Sequence, residues 1–200
     1  MAWDITFLLK IQKAKAVVKS IEKKRAVFEA FVLRICANWE ILVQDLLIDC
    51  LNKDASRYKE YTGYNIPKHI SRETCKAIIL GVTYIDFKNV SNLKQIAKRT
   101  LVPQFNPFKE IPTSIGRKID EFFVLRNYLA HYSEAAKRSL ERVYNRYDLR
   151  VFEEPGDFLL ALDKRQKLPR MALYIINFLG TADIMARFLN VRLPRIVSVS

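Results

Sequence analysis

The chain is expected to fold as a single-domain, all-α helical bundle with long N-terminal helices, and three observations predict this. Half of its 200 residues are hydrophobic, enough to bury well over half of the unfolded surface in one core without division into domains. Only 5 glycines and 7 prolines occur, none of them before Gly63, which argues against disordered, collagen-like and turn-dense β architectures. Apolar residues recur at spacings of three and four over long stretches, the period of helices that bury one face. No internal repeat, low-complexity tract or strand–helix alternation is present. Residues 1–200 therefore read as one domain, with a core over about 25–150 and a C-terminal helix over 169–190 packed on it.

The elements follow in order. Phe7, Ile11, Ala14, Val18 and Ile21, then Phe28, Val32, Ile35, Trp39, Leu42 and Leu46, mark one very long amphipathic helix or two end to end. The Lys-rich stretch Lys19 to Ala26 interrupts the stripe and is the expected joint. After Leu51, polar residues with Gly63 and Pro67 predict a loop. Ser71, with Glu73 and an apolar run closed by Gly81, marks a short helix, and Ser91 opens another toward Arg99. Three prolines in "VPQFNPFKEIPTS" predict an irregular connection before helical spacing resumes from Ile115 to His131. Ser133 can cap a further helix, the residues Glu153 to Asp157 should break the chain, and a last helix runs from about Pro169 to Asn190.

Charge supplies the first functional hint. Lys and Arg total 34 against 21 Asp and Glu, a net charge of +13, which attracts polyanions such as RNA, DNA or an anionic membrane. The longest uncharged apolar run near the start, Ile5 to Leu9, is closed by Lys10 and is too short for a signal-peptide core or a membrane span. A cytoplasmic protein without a membrane partner is expected. Cys36, Cys50 and Cys75 share no C-x-x-C spacing and read as reduced, buried thiols. His69, in a surface loop, has no partner at ligand spacing, so no metal and no cofactor is expected. Neither a phosphate-binding glycine loop nor a serine nucleophile elbow occurs.

The chemistry-bearing residues lie in "FFVLRNYLAHYS", Phe122 to Ser133. On a helix, Asn127 and His131 are four apart and share a face, while Arg126 lies on the flank with a long stem. Arginine offers a planar fork of donors for phosphate, imidazole can exchange a proton near neutral pH, and an Asn amide can bond a phosphate oxygen or orient the ring. Such groups suit RNA transesterification, in which a ribose 2′-hydroxyl is activated and charge on the phosphorus oxygens is stabilised. With 16 Arg, 10 Asn and 2 His in the chain, this arrangement arises by chance in under about one chain in a hundred. The competing reading is a helix C-terminus in which His131 caps carbonyls and Arg126 pairs with Asp120 or Glu121. After His131, Arg138, Arg142, Arg146 and Arg150 recur every four residues with Tyr144 and Tyr147 nearby. That row could track an RNA backbone with rings for base stacking, or form a solvated face with pairs such as Glu134 and Arg138. Trp39 on the apolar stripe belongs to the core or to an interface.

"LRNYLAH" (Leu125 to His131), ending a helix in a small basic all-α chain, resembles the R-x(4-6)-H signature of the HEPN superfamily, where a polar residue, often Asn, follows the Arg. The segment Phe28 to Leu51 is similar to the long second helix of the RiboL-PSP-HEPN branch, in which an acidic residue follows an aromatic in mid-helix, as Glu40 follows Trp39. A weaker likeness extends through Glu153 to Leu179. The resemblance implies a helical bundle forming a two-fold homodimer whose signature helices line one cleft. It implies a metal-independent endoribonuclease leaving a 2′,3′-cyclic phosphate, acting in a toxin–antitoxin or phage-defence system with an antitoxin or other defence-system partner. By position it gives Arg126 to phosphate binding, His131 to proton transfer, Asn127 to orientation and Glu40 to support of Arg126 or His131. Toxins of this kind silenced by a nucleotidyltransferase carry a Tyr two residues after the His, whereas here Tyr132 comes one residue after and Ser133 stands in that place. Superfamily members that keep the fold without cleavage make a noncatalytic nucleic-acid or partner-protein binding module the alternative.

Overall fold

The computed structural model describes residues 21–82, 89–149 and 151–190, and among them the only regular structure is helical, apart from one isolated bridge between Leu162 and Pro169. Helix α1 (Ile21–Lys53), of 33 residues, is the longest among the described residues. It buries Phe28, Val32, Ile35 and Trp39 of the expected stripe, with Cys36 beside them, but further along Val43 and Leu47 take the inner positions while Leu42 and Leu46 are only partly buried. The helix is continuous from Ile21, so the joint expected at Lys19 to Ala26 does not fall within residues 21–26, and residues 19 and 20 lie outside the described residues. Lysines in that stretch have the helix propensity to sustain it without an apolar stripe.

The loop expected after Leu51 contains a helix, α2 (Ser56–Thr62). Asp54 Oδ1 accepts the Ser56 N–H at 2.9 Å, Tyr58 is buried, and Gly63 ends the turn at φ 73°, so an Asx-type start and a left-handed glycine stop frame two turns of polar sequence. Ser71 caps α3 (Arg72–Ala77), its side chain accepting the Thr74 N–H, and a π-turn over Ile78–Val82 follows. Helix α4 (Val90–Thr100) starts earlier than Ser91 suggests, because the Asn89 side chain accepts the Asn92 N–H at 2.7 Å. The proline-rich connection forms two 3₁₀ turns, Pro103–Phe105 and Pro107–Glu110, that bury Phe108.

Helix α5 (Thr113–His131) crosses α1 and carries the signature residues at its C-terminal end. Ser133 caps α6 (Glu134–Asn145), accepting the Ala136 N–H at 3.2 Å. The break expected at Glu153 to Asp157 falls on Glu153 and Glu154 only, and α7 (Pro155–Leu160) follows at once with Pro155 at the first helical position, where its missing N–H is harmless. Gly156 lets α7 meet α1: a Cβ there would lie 2.8 Å from the Arg25 Cα. Arg25 Nε bonds Asp157 Oδ1 at 2.5 Å and Glu29 Oε1 accepts the Gly156 N–H at 3.1 Å.

Helix α8 (Arg170–Phe188) closes the bundle. By length and composition it is apolar enough to cross a membrane, yet Tyr174, Phe178 and Met185 are buried in the core. Trp39 of α1 meets Phe178 edge-on at 5.4 Å, and Phe122 of α5 packs on Phe178 at 5.3 Å and Tyr174 at 5.1 Å. Burial of side chains this large is worth about 1.5–3 kcal/mol each, so the α1–α5–α8 contact is the centre of the fold. The chain is an all-α single domain.

Candidate functional site

The apolar residues of α5 face inward at Ile119, Phe122, Leu125 and Leu129, which leaves Asn127 and His131 exposed on the opposite side, one turn apart. Arg126 is half-buried between the two faces. Its Nη1 donates to Asn127 Oδ1 at 3.1 Å, so the amide oxygen is engaged and the amide NH₂ is turned to other acceptors. The carboxylates that spacing offered to Arg126 are used elsewhere. Asp120 Oδ1 accepts the Val90 N–H at 2.7 Å. Glu121 is 4 % exposed and takes bonds from Lys118 Nζ at 2.8 Å, Tyr147 OH at 2.9 Å, Tyr174 OH at 3.2 Å and Arg146 Nη1 at 3.2 Å. Arg126 thus has no carboxylate partner among the described residues.

Glu40 on α1 is half-buried and makes no hydrogen bond or ion pair with Arg126 or His131. The Cys36 thiol on α1 is pushed up by burial, raised further by Glu40 and lowered by Arg126. All three cysteines are buried and unpaired with one another, as their apolar contexts predict. Trp39 belongs to the core, and His69 is exposed in the segment between α2 and α3. No group of three His, Cys, Asp or Glu among the described residues is disposed to hold a metal ion.

The arginine row divides. Arg138 and Arg142 are exposed, Arg142 bonding only Ser139 Oγ, and no pair forms between Glu134 and Arg138. Arg146, expected on the same row, is tied to Glu121, so its guanidinium is directed toward α5. Arg150 lies outside the described residues. The rings expected to stack on bases are not free to do so. Tyr144 is 1 % exposed and donates to the Glu153 carbonyl, and Tyr147 is held between Glu121, Lys118 and Tyr174. In that cluster burial opposes the charge of Lys118, but hydrogen bonds to Glu121 and Tyr147 outweigh it and raise the ammonium, while burial raises the Tyr147 and Tyr174 hydroxyls.

Sequence reasoning missed Glu121 as the anchor of α5. The signal existed: Glu121, Leu125 and Tyr128 are spaced i, i+4, i+7, so a carboxylate sits on the buried stripe. It also missed a second face of α1, where Ala26, Ala30, Leu33, Ala37 and Ile41 are all exposed, Leu33 by 42 % and Ile41 by 50 %. Glu40 flanks this stripe, three residues after Ala37 and seven after Leu33. A cleft of about 270 Å³ lined by Val90, Lys94, Thr113 and Arg117 lies toward the opposite end of α5, roughly 13 Å or more along the helix axis from the signature.

No family model, curated protein or solved structure matches the chain. The site is therefore read from its own geometry.

Proposed function

We propose that the chain is a metal-independent endoribonuclease of the HEPN type, with Arg126, Asn127 and His131 contributed in duplicate across a homodimer. The observation that carries this reading is an arginine without a carboxylate partner, hydrogen-bonded to Asn127, with the exposed His131 one turn further along α5. An unneutralised guanidinium is available to a phosphate. In the reaction, an imidazole takes the 2′-hydroxyl proton, O2′ forms a bond to phosphorus, and the P–O5′ bond breaks. A protonated imidazole returns a proton to the departing O5′, so the products are a 2′,3′-cyclic phosphate and a 5′-hydroxyl. Arg126 and the Asn127 amide stabilise the charge on the non-bridging oxygens.

The exposed apolar stripe of α1 supports the homodimer. Five outward residues at spacings of four, three, four and four form a seam for a second helix, and Glu40 beside it acts, like Arg126, on the Cys36 thiol. Pairing two copies there would enclose a signature that is open in the single chain. The setting is the one the resemblance implies, a cytoplasmic toxin–antitoxin or phage-defence system with RNA as substrate and an antitoxin or defence protein as partner.

A second reading, a noncatalytic RNA- or protein-binding module, is favoured by one observation: Arg138 and Arg142 are exposed, and neither forms an ion pair among the described residues. End-group analysis of RNA incubated with the purified chain separates the two. Cyclic-phosphate termini are expected of the ribonuclease, and salt-dependent binding with intact RNA is expected of the module.

A further inference from the structure

Tyr132 carries a feature that neither packing nor the proposed chemistry uses. It directly follows His131 and closes α5 as its C-terminal cap at φ 46°, ψ 28°. Helices commonly end in this left-handed region on Gly or Asn, which adopt it without a steric penalty. A bulky aromatic there is held against its own preference, and strain of this kind gathers at functional sites. The side chain has no buried role to justify the strain, because Tyr132 is 65 % exposed. One side of its ring leans on Tyr128 with centroids 5.3 Å apart, and Tyr128, itself buried, is braced by Phe152 at 5.5 Å. The result is an aromatic relay anchored in the core at one end and open to solvent at the other. Tyr132 follows His131 directly, so the open ring stands at the end of α5 that carries Arg126, Asn127 and His131.

We propose that Tyr132 is a nucleobase-binding residue, its exposed ring stacking on a base of single-stranded RNA adjoining the phosphate that Arg126, Asn127 and His131 engage. This rests on the ribonuclease reading and deepens it by assigning the contact that binds the base rather than the phosphate. Every base has a π-face, so such a contact tolerates all sequences and favours those that stack best, which gives purines the advantage.

The test uses the full chain carrying His131→Ala, so that RNA is not consumed, with labelled oligoadenylate and oligouridylate of about ten nucleotides in fluorescence anisotropy. The parent is expected to bind oligoadenylate more tightly than oligouridylate. Tyr132→Gly should weaken oligoadenylate binding by about tenfold to hundredfold and remove the difference between the two, while Tyr132→Phe retains both. Because glycine adopts this backbone freely, Tyr132→Gly should leave the Tm unchanged or raise it. A glycine variant that binds oligoadenylate as tightly as the parent overturns the stacking role. So does one whose Tm falls in step with its binding, since the ring would then be a structural prop. Failure of the parent to bind either oligonucleotide is a different result and overturns the ribonuclease reading itself.

Discussion

Arg126 is available for chemistry because the carboxylates around it are occupied. Asp120 caps α4 and Glu121 is saturated by four donors, so the guanidinium turns to Asn127 alone. A fork-shaped donor matters here more than a positive charge. Arg126→Lys is therefore expected to lower kcat by about a hundredfold or more with a smaller change in KM, measured on a defined oligoribonucleotide. Equal loss in both Arg126→Lys and Arg126→Ala would support the fork, and full activity in Arg126→Lys would contradict it. At this scale the sequence was informative about identity and silent about partners. Asn127 and His131 on one face follow from helix angle alone, and the three cysteines are buried as their apolar neighbours suggest. That neither Asp120 nor Glu121 takes Arg126 could not be read from spacing, because the two carboxylates are committed to Val90, Tyr147, Tyr174 and Arg146, all remote in sequence.

Among the elements, α5 is fixed by a buried carboxylate rather than by apolar contact alone. Glu121 ties α5 to Tyr147 and Arg146 after α6 and to Tyr174 on α8. Removing one member of a buried charge network leaves the others unpaired, at a cost of about 3–5 kcal/mol. Glu121→Ala should lower the Tm by roughly 10 °C, at about 2–4 °C per kcal/mol for a chain of this size, in a calorimetric scan. Arg146→Ala should cost much less, since its side chain is 60 % exposed. The α1–α7 junction is a second fixed point. Gly156→Ala places a methyl group against the Arg25 backbone and is expected to destabilise by about 1–3 kcal/mol, read from a denaturant midpoint. The helices with a serine cap, those after Ser71 and Ser133, and the one with a long apolar period that ends at His131 were legible in sequence. Two of the three short ones were not. Helix α2 has one buried residue, Tyr58, and α7 begins on a proline that reads equally well as a break.

For the whole molecule, the question is whether the exposed seam of α1 is covered by a second copy. Leu33 and Ile41 lie two turns apart on it, and Leu33→Glu with Ile41→Glu should convert a dimer to a monomer in light scattering while leaving the helical circular-dichroism signal intact. A dimer that survives both changes would place the interface elsewhere. The all-α, one-domain architecture was legible from period and from the scarcity of Gly and Pro. The outward stripe on α1 was not, because Ala26, Ala30 and Ala37 are as compatible with a core-facing or neutral helix surface as with a seam. The net charge of +13 predicts RNA association that weakens steeply as salt rises, but charge alone does not cut a strand. The decisive measurement is cleavage of single-stranded RNA by the purified chain and by His131→Ala, each with and without a chelator, read as cyclic-phosphate ends. Equal cleavage by the wild-type chain is expected in both conditions, with a loss of about a hundredfold to ten-thousandfold in the folded variant. Undiminished cleavage by His131→Ala, or none by the wild-type chain, would contradict the ribonuclease reading.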